Sequence, residues 1–208
     1  MIHYHSPKSS KRFITRYDPL EPRFVAPGFY SHTLKPSLEL HTHNENKIVE
    51  VLQNIYFPDR KKINIHIYNL PYNLEGFYNG FASSELKYNK GEIDYQKSTF
   101  GVLLLGRTTS IPLVMTEFVL PHEIGHCYQY RYLPDNGKDK SNWNKFLQLM
   151  KLSKFSKKSL SHSEDHGEIF ANTFRILFSP YQHDFWPHPC IHPLKVRGLK
   201  EFLMSVIK

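Results

Sequence analysis

Three kinds of hydrophobic spacing divide the chain. Between Asn44 and Tyr56, the residues Ile48, Val51, Leu52 and Ile55 recur at intervals of three and four, which places them on one face of a helix that Pro58 ends. The period then changes. Ile63, Ile65 and Ile67 alternate with Asn64, His66 and Tyr68, the two-residue repeat of a strand with one buried face. The next forty residues read as a meander, with runs at Gly76 to Ser83 and Glu92 to Tyr95, a turn near Asn89-Lys90-Gly91, and an apolar run from Thr99 to Leu105 closed by Gly106. Helical spacing returns with Phe118, Val119, Leu120 and Ile124, and again after Ser141, a good N-cap for a helix whose Trp143, Phe146, Leu147 and Met150 form one stripe. A basic, serine-rich loop follows. The cluster Ser163-Glu164-Asp165 then starts a further helix with Ile169, Phe170, Phe174 and Leu177 as its apolar surface, and Leu194 to Ile207 has the spacing of an amphipathic C-terminal helix.

Residues 1–40 differ from everything after them. They hold five of the fourteen prolines and no sustained period, which predicts an extended arm ahead of one domain over residues 41–208. That domain is expected to be α+β, a small sheet first and a mainly helical half after it. No internal repeat or low-complexity tract interrupts it.

Composition supports a folded chain and restricts its chemistry. At 208 residues, 40% hydrophobic and 14% aromatic, it can bury a sizeable core. The net charge of +8 is spread along the chain, with small clusters at Arg60-Lys61-Lys62 and from Lys154 to Lys158. A solvated basic surface explains this without a nucleic-acid groove, and no nucleic-acid reader motif accompanies it. Cys127 and Cys190 are too few for a disulfide framework and read as free thiols. The segment His188-Pro189-Cys190-Ile191-His192 holds ligand-type residues but reads as a surface loop. With no apolar leader at Met1 to Lys8 and no run of eighteen apolar residues, the expectation is a soluble cytoplasmic product with no membrane partner, exported by a non-classical route if it acts outside its cell.

The chemistry concentrates at His122-Glu123-Ile124-Gly125-His126. On a helix the two imidazoles share a face one turn apart, where both can bind one zinc ion, and the carboxylate between them becomes a candidate general base. Chance is the alternative, because the chain carries 13 His. Against it, two His and a Glu in an apolar segment are costly to bury without a partner. A catalytic zinc needs a third protein ligand and an open position. Glu168 is the candidate, since Ala171 one turn on leaves room for a second helix to approach, and Asn172 on the same face can orient an imidazole N–H. Glu168 as a plain N-terminal acid favoured by the helix dipole is the rival reading, and Glu164, Asp165 and His166 are rival ligands.

The two segments His122-Glu123-Ile124-Gly125-His126 and Glu168-Ile169-Phe170-Ala171-Asn172-Thr173-Phe174-Arg175 resemble the gluzincin metallopeptidases, most closely the catalytic domain of anthrax lethal factor and the Pro-Pro endopeptidases. Over residues 60–205 the resemblance implies a zincin-like fold, with a small mixed sheet packed on the motif helix. It implies His122, His126 and Glu168 as ligands of one catalytic Zn2+, Glu123 as general base, and a protein or peptide substrate. In that family a tyrosine seven residues before the ligand Glu stabilises the oxyanion, and the position here is Ser161. His162 or His166 can substitute as the donor, with Tyr128 and Tyr130 as further alternatives. A weaker likeness links the Glu168 helix to repressor-cleaving regulators of the ImmA/IrrE type. The expected function is therefore a zinc metalloendopeptidase in which Glu123 activates a zinc-bound water, the alternative being a binding protein that keeps the scaffold without turnover. The run from Thr99 to Leu105 is the expected edge on which an extended peptide pairs.

Overall fold

The computed structural model describes residues 23–26, 29–33, 40–41, 44–56, 64–70, 80–85, 88–89, 92–93, 99–105, 107–108, 116–135, 140–152, 165–181 and 185–207. The first helix, α1 (Glu45–Asn54), starts at Asn44, whose side chain accepts a bond from the Lys47 N–H at 3.2 Å, and it buries Ile48, Val51 and Leu52. The motif lies on α2 (Thr116–Tyr132), which runs through Pro121 and loses the backbone bond that residue cannot donate. Val119, Leu120, Ile124, Cys127 and Tyr128 are all buried on it, together with the polar Glu123, Gln129 and Arg131. Its accessible stripe is narrow. Phe118, His122, His126 and Tyr130, each four residues apart, are only partly buried.

Helix α3 (Ser141–Leu149) sinks Trp143 and Phe146 into the core. Its N-cap is Lys140, which makes no side-chain cap, and the expected cap Ser141 is instead the first helical residue. Helix α4 (His166–Phe178) is capped by Asp165, whose side chain accepts from the N–H groups of Gly167 and Glu168. The expected continuous C-terminal helix is divided into a 3-10 turn at Pro193–Lys195 and α5 (Leu199–Val206). Gly198 between them sits at φ 77°, a left-handed conformation that glycine takes without steric cost and that a helix interior excludes.

The strands are described through their backbone pairing. β1 (Arg23–Ala26), β2 (Phe29–Thr33), β4 (Asn64–Leu70), β5 (Gly80–Glu85) and β8 (Thr99–Leu105) form one sheet in the order β1-β2-β4-β8-β5. The pairs β2–β4 and β4–β8 are parallel, and β1–β2 and β5–β8 antiparallel. β3 (Leu40–His41) with β9 (Arg107–Thr108), and β6 (Tyr88–Asn89) with β7 (Glu92–Ile93), make two short ladders. β8 therefore has neighbours on both sides, so it is not the peptide-pairing edge expected of it. Within the expected arm of residues 1–40, β1 and β2 join this sheet, while residues 1–22 lie outside the described residues.

The expected α+β, zincin-like class, with a small mixed sheet packed on the motif helix, is corrected. The part of the chain described down to its side chains is mainly helical, and its strand residues are Val102 and Leu104 of β8, buried in the core cluster. Described side-chain contacts of α2 include α1, α3, α4 and the segment after α4, as in Lys47–Glu117, Asn142–Tyr132, Tyr128–Phe174 and Phe118–Phe185. A close approach lies at Gly125. A Cβ there would lie 2.8 Å from the Ala171 Cα and 2.9 Å from its carbonyl oxygen, so α2 and α4 meet backbone to backbone. Among the described residues, no helix is long and apolar enough to cross a membrane.

Candidate metal centre

The Gly125–Ala171 crossing sets the site. Because His122 and His126 flank Gly125 on one helix and Glu168 precedes Ala171 by three residues on the other, close approach of the two backbones brings the three side chains together. His122 Nε2 is 3.1 Å from one Glu168 carboxylate oxygen, and His126 Nε2 is 3.3 Å from the other. The ligand atoms of all three lie within 4.8 Å of one another. The two imidazole rings stand edge to face with centroids 4.9 Å apart. Asp165 contributes from the backbone side, since its cap holds the N–H of Glu168 itself.

Electrostatics follow from burying three ionisable groups next to one another. Burial pushes the His122 imidazole down, against the opposing hydrogen bond to Glu168. Burial pulls His126 down too, but its hydrogen bond to Glu168 and the charges of Glu123 and Glu168 outweigh that and leave it above its ordinary value. Burial raises the Glu168 carboxyl, yet the hydrogen bonds from both imidazoles dominate and hold it well below the usual carboxylate range. Glu123, only 6% exposed, is pushed up to about 7 by burial, with His126 opposing and the Glu168 charge adding. A carboxyl poised near neutrality beside the imidazoles can both take and return a proton.

Amide side chains back the two imidazoles. Asn172 favours the protonated form of His122, and Gln129 does the same for His126. Asn172, buried at 6% exposure, is itself held on two sides. Its Nδ2 lies 2.9 Å from His188 Nε2, and its Oδ1 accepts from Arg175 Nε at 3.2 Å. Arg175 reaches on to the Phe185 carbonyl at 2.7 Å, and its guanidinium covers the Phe118 ring at 4.1 Å. Burial lowers its pKa to about 10.

The remaining candidates divide. His166 is the first residue of α4, two positions before Glu168 and so about 200° away around the helix, and it is outside the ligand group. His162, Ser161 and Glu164 lie outside the described residues. Tyr128 is fully buried and stacked between Phe174 and Tyr132, a packing role. Tyr130 is on the accessible stripe, its ring 6.3 Å from that of His126, and burial raises its phenol pKa so that it keeps its proton. Cys127 is buried with its thiol pushed up, and points to no ligand group.

Sequence reasoning missed two residues. His188, read as part of a surface loop, is buried beside Asn172 and packs edge-on against Trp186 at 4.6 Å. Arg175 was the other, although an arginine amid Phe174, Ile176 and Leu177 on a predicted apolar helix is an available signal. Comparison of the chain with protein-family models, with curated proteins and with solved structures gave no match.

Proposed function

We propose that the protein is a zinc-dependent metalloendopeptidase that hydrolyses peptide bonds of a protein substrate. The observation that supports this best is the convergence of two imidazole nitrogens and a carboxylate from two helices, beside a buried second carboxylate. Two His and one Glu are a ligand set suited to catalytic zinc, because three protein ligands leave a coordination position open. It is also the ligand pattern of the gluzincin metallopeptidases. The ion, when bound, would supply Lewis acidity toward a water and toward a peptide carbonyl.

The chain's own groups perform the rest. His122 and His126 would present Nε2, the atoms that now face Glu168, and Glu168 would present its carboxylate. Glu123 takes a proton at its carboxylate from the attacking water and returns it to the leaving amine. Tyr130, its ring beside that of His126, keeps its hydroxyl proton and is a candidate donor to the oxyanion. Burial brings the Glu123 carboxyl to about 7, within reach of proton exchange in both directions.

The test is the substitution Glu123→Gln, which removes the base without changing size. Zinc content is expected to stay at one per chain, while cleavage of a peptide library falls by about a hundredfold to ten-thousandfold, the usual worth of a general base. Cleavage that persists unchanged in this variant would refute the assignment of the base. A wild type that binds zinc and cuts nothing would favour the scaffold-binding alternative.

A further inference from the structure

We propose that His188 is a positioning residue of the metal centre, acting on His122 through Asn172. The inference rests on the metal-site reading above and adds to it a residue from outside the two ligand helices.

Arg175 sets the direction of this chain of hydrogen bonds. A guanidinium has only donors, so the end of the Asn172 amide that faces Arg175 Nε must be the oxygen. The nitrogen end then faces His188, and Nδ2 must donate to His188 Nε2 across 2.9 Å. An imidazole nitrogen that accepts carries no proton, which fixes His188 as the neutral ring with its proton on Nδ1. Each group thus determines the next, and the amide cannot turn over without facing donor to donor at Arg175.

The orientation matters because of what lies on the other side of Asn172. It sits four residues after Glu168, on the same face of α4, and beside Ala171 at the crossing with α2. His122 Nδ1 is fully buried and has no hydrogen-bond partner among the described residues. If Nε2 is to bind the ion, Nδ1 must carry the proton and needs an acceptor to hold the ring in place. With Nδ2 committed to His188, the oxygen of Asn172 is the end that remains for this role, and its second lone pair is available beyond Arg175. Without His188, the amide nitrogen would lose its partner, and Arg175 alone would hold Asn172, from its oxygen end.

His188 is well built for this. It is 7% exposed, lies against the Trp186 ring at 4.6 Å, and belongs to a segment pinned to α4 at a second point by the 2.7 Å bond from Arg175 to the Phe185 carbonyl. The Trp186 indole N–H donates to the Cys190 carbonyl at 3.0 Å, closing the turn that presents His188. A histidine that only filled space would need none of this pairing.

The experiment compares zinc affinity, by competition with a chromogenic chelator, in wild type, His188→Ala and His188→Gln, with the thermal midpoint of each metal-free protein measured beside it. His188→Ala is expected to weaken zinc by about 10- to 100-fold, the usual effect of losing an outer partner of a ligand, and His188→Gln, whose side-chain oxygen can accept from Asn172, to restore most of it. Unchanged affinity in His188→Ala overturns the inference, as does an equal loss in both variants that only tracks their thermal midpoints. Imidazole 15N spectra of the wild type, which need no variant to fold, should report His188 protonated at Nδ1, and protonation at Nε2 overturns the inference equally. Wild type that takes up no zinc sinks the proposed function together with this inference, whereas zinc-binding wild type with an indifferent His188→Ala sinks the inference alone.

Discussion

Helices α2 and α4 carry the proposed ligands by different means. α2 supplies two from one turn of its own, at His122 and His126, so that their proximity is a local property of any helix at those positions. α4 supplies one, Glu168, and its place depends on how closely another helix approaches. That approach is set by Gly125 and Ala171, where a single added Cβ would meet backbone. The contrast teaches that the imidazole pair is a matter of secondary structure while the third ligand is a matter of packing. Disturbing the second should therefore impair metal binding without dismantling the first.

Glu168→Ala breaks the comparison most sharply. It should leave helicity by circular dichroism unchanged and weaken zinc by more than about a hundredfold, beyond the usual loss for an outer partner. Undiminished affinity would remove Glu168 from the ligand set. Lowering the pH acts on the α2 side instead. In the metal-free protein His126 holds its proton above its ordinary value, and zinc requires the neutral ring, so binding must expel that proton. Affinity should therefore fall by about tenfold per pH unit for each displaced proton as pH drops, beginning above 6.5, and buffer-dependent binding calorimetry counts the protons released. Glu168, held below the usual carboxylate range, stays ionised through this window and contributes nothing to the slope. The smallest effect is expected from Gly125→Ala, which sharpens the packing side. Its methyl group would push α2 and α4 apart at a cost of about 1–3 kcal/mol in chemical denaturation, with zinc affinity falling in step.

The same distinction explains what the amino-acid sequence made legible. Helix α1 was readable because Asn44, Ile48, Val51 and Leu52 state a cap and a stripe within ten residues. Convergence of His122, His126 and Glu168 was readable because a small residue at Ala171 marked the face along which α4 could approach. Features set by distant partners were not. The flanking of β8 by β4 and β5 cannot be seen in its own apolar run, which reads the same at an edge as in the middle of a sheet. The apolar residues of the motif helix do not state whether strands or helices will cover them, which is why the expected sheet-on-helix class needed correction. His188, between two prolines, carries the local signature of a loop, and its burial comes from Asn172 and Trp186. Ser141 satisfied the composition of an N-cap, yet the helix began one residue earlier than that role required. Gly198 carried a visible warning, since a glycine within an amphipathic run is where a left-handed break costs least.

The central claim is that two imidazoles from one helix and one carboxylate from another hold a single zinc ion. X-ray absorption at the zinc edge, on protein loaded with one equivalent, tests it most directly. The account predicts a shell of nitrogen and oxygen alone, near 2.0–2.2 Å, with the multiple scattering of two imidazoles. Sulfur from Cys127 or Cys190 in that shell, or zinc that washes away on desalting, would contradict it.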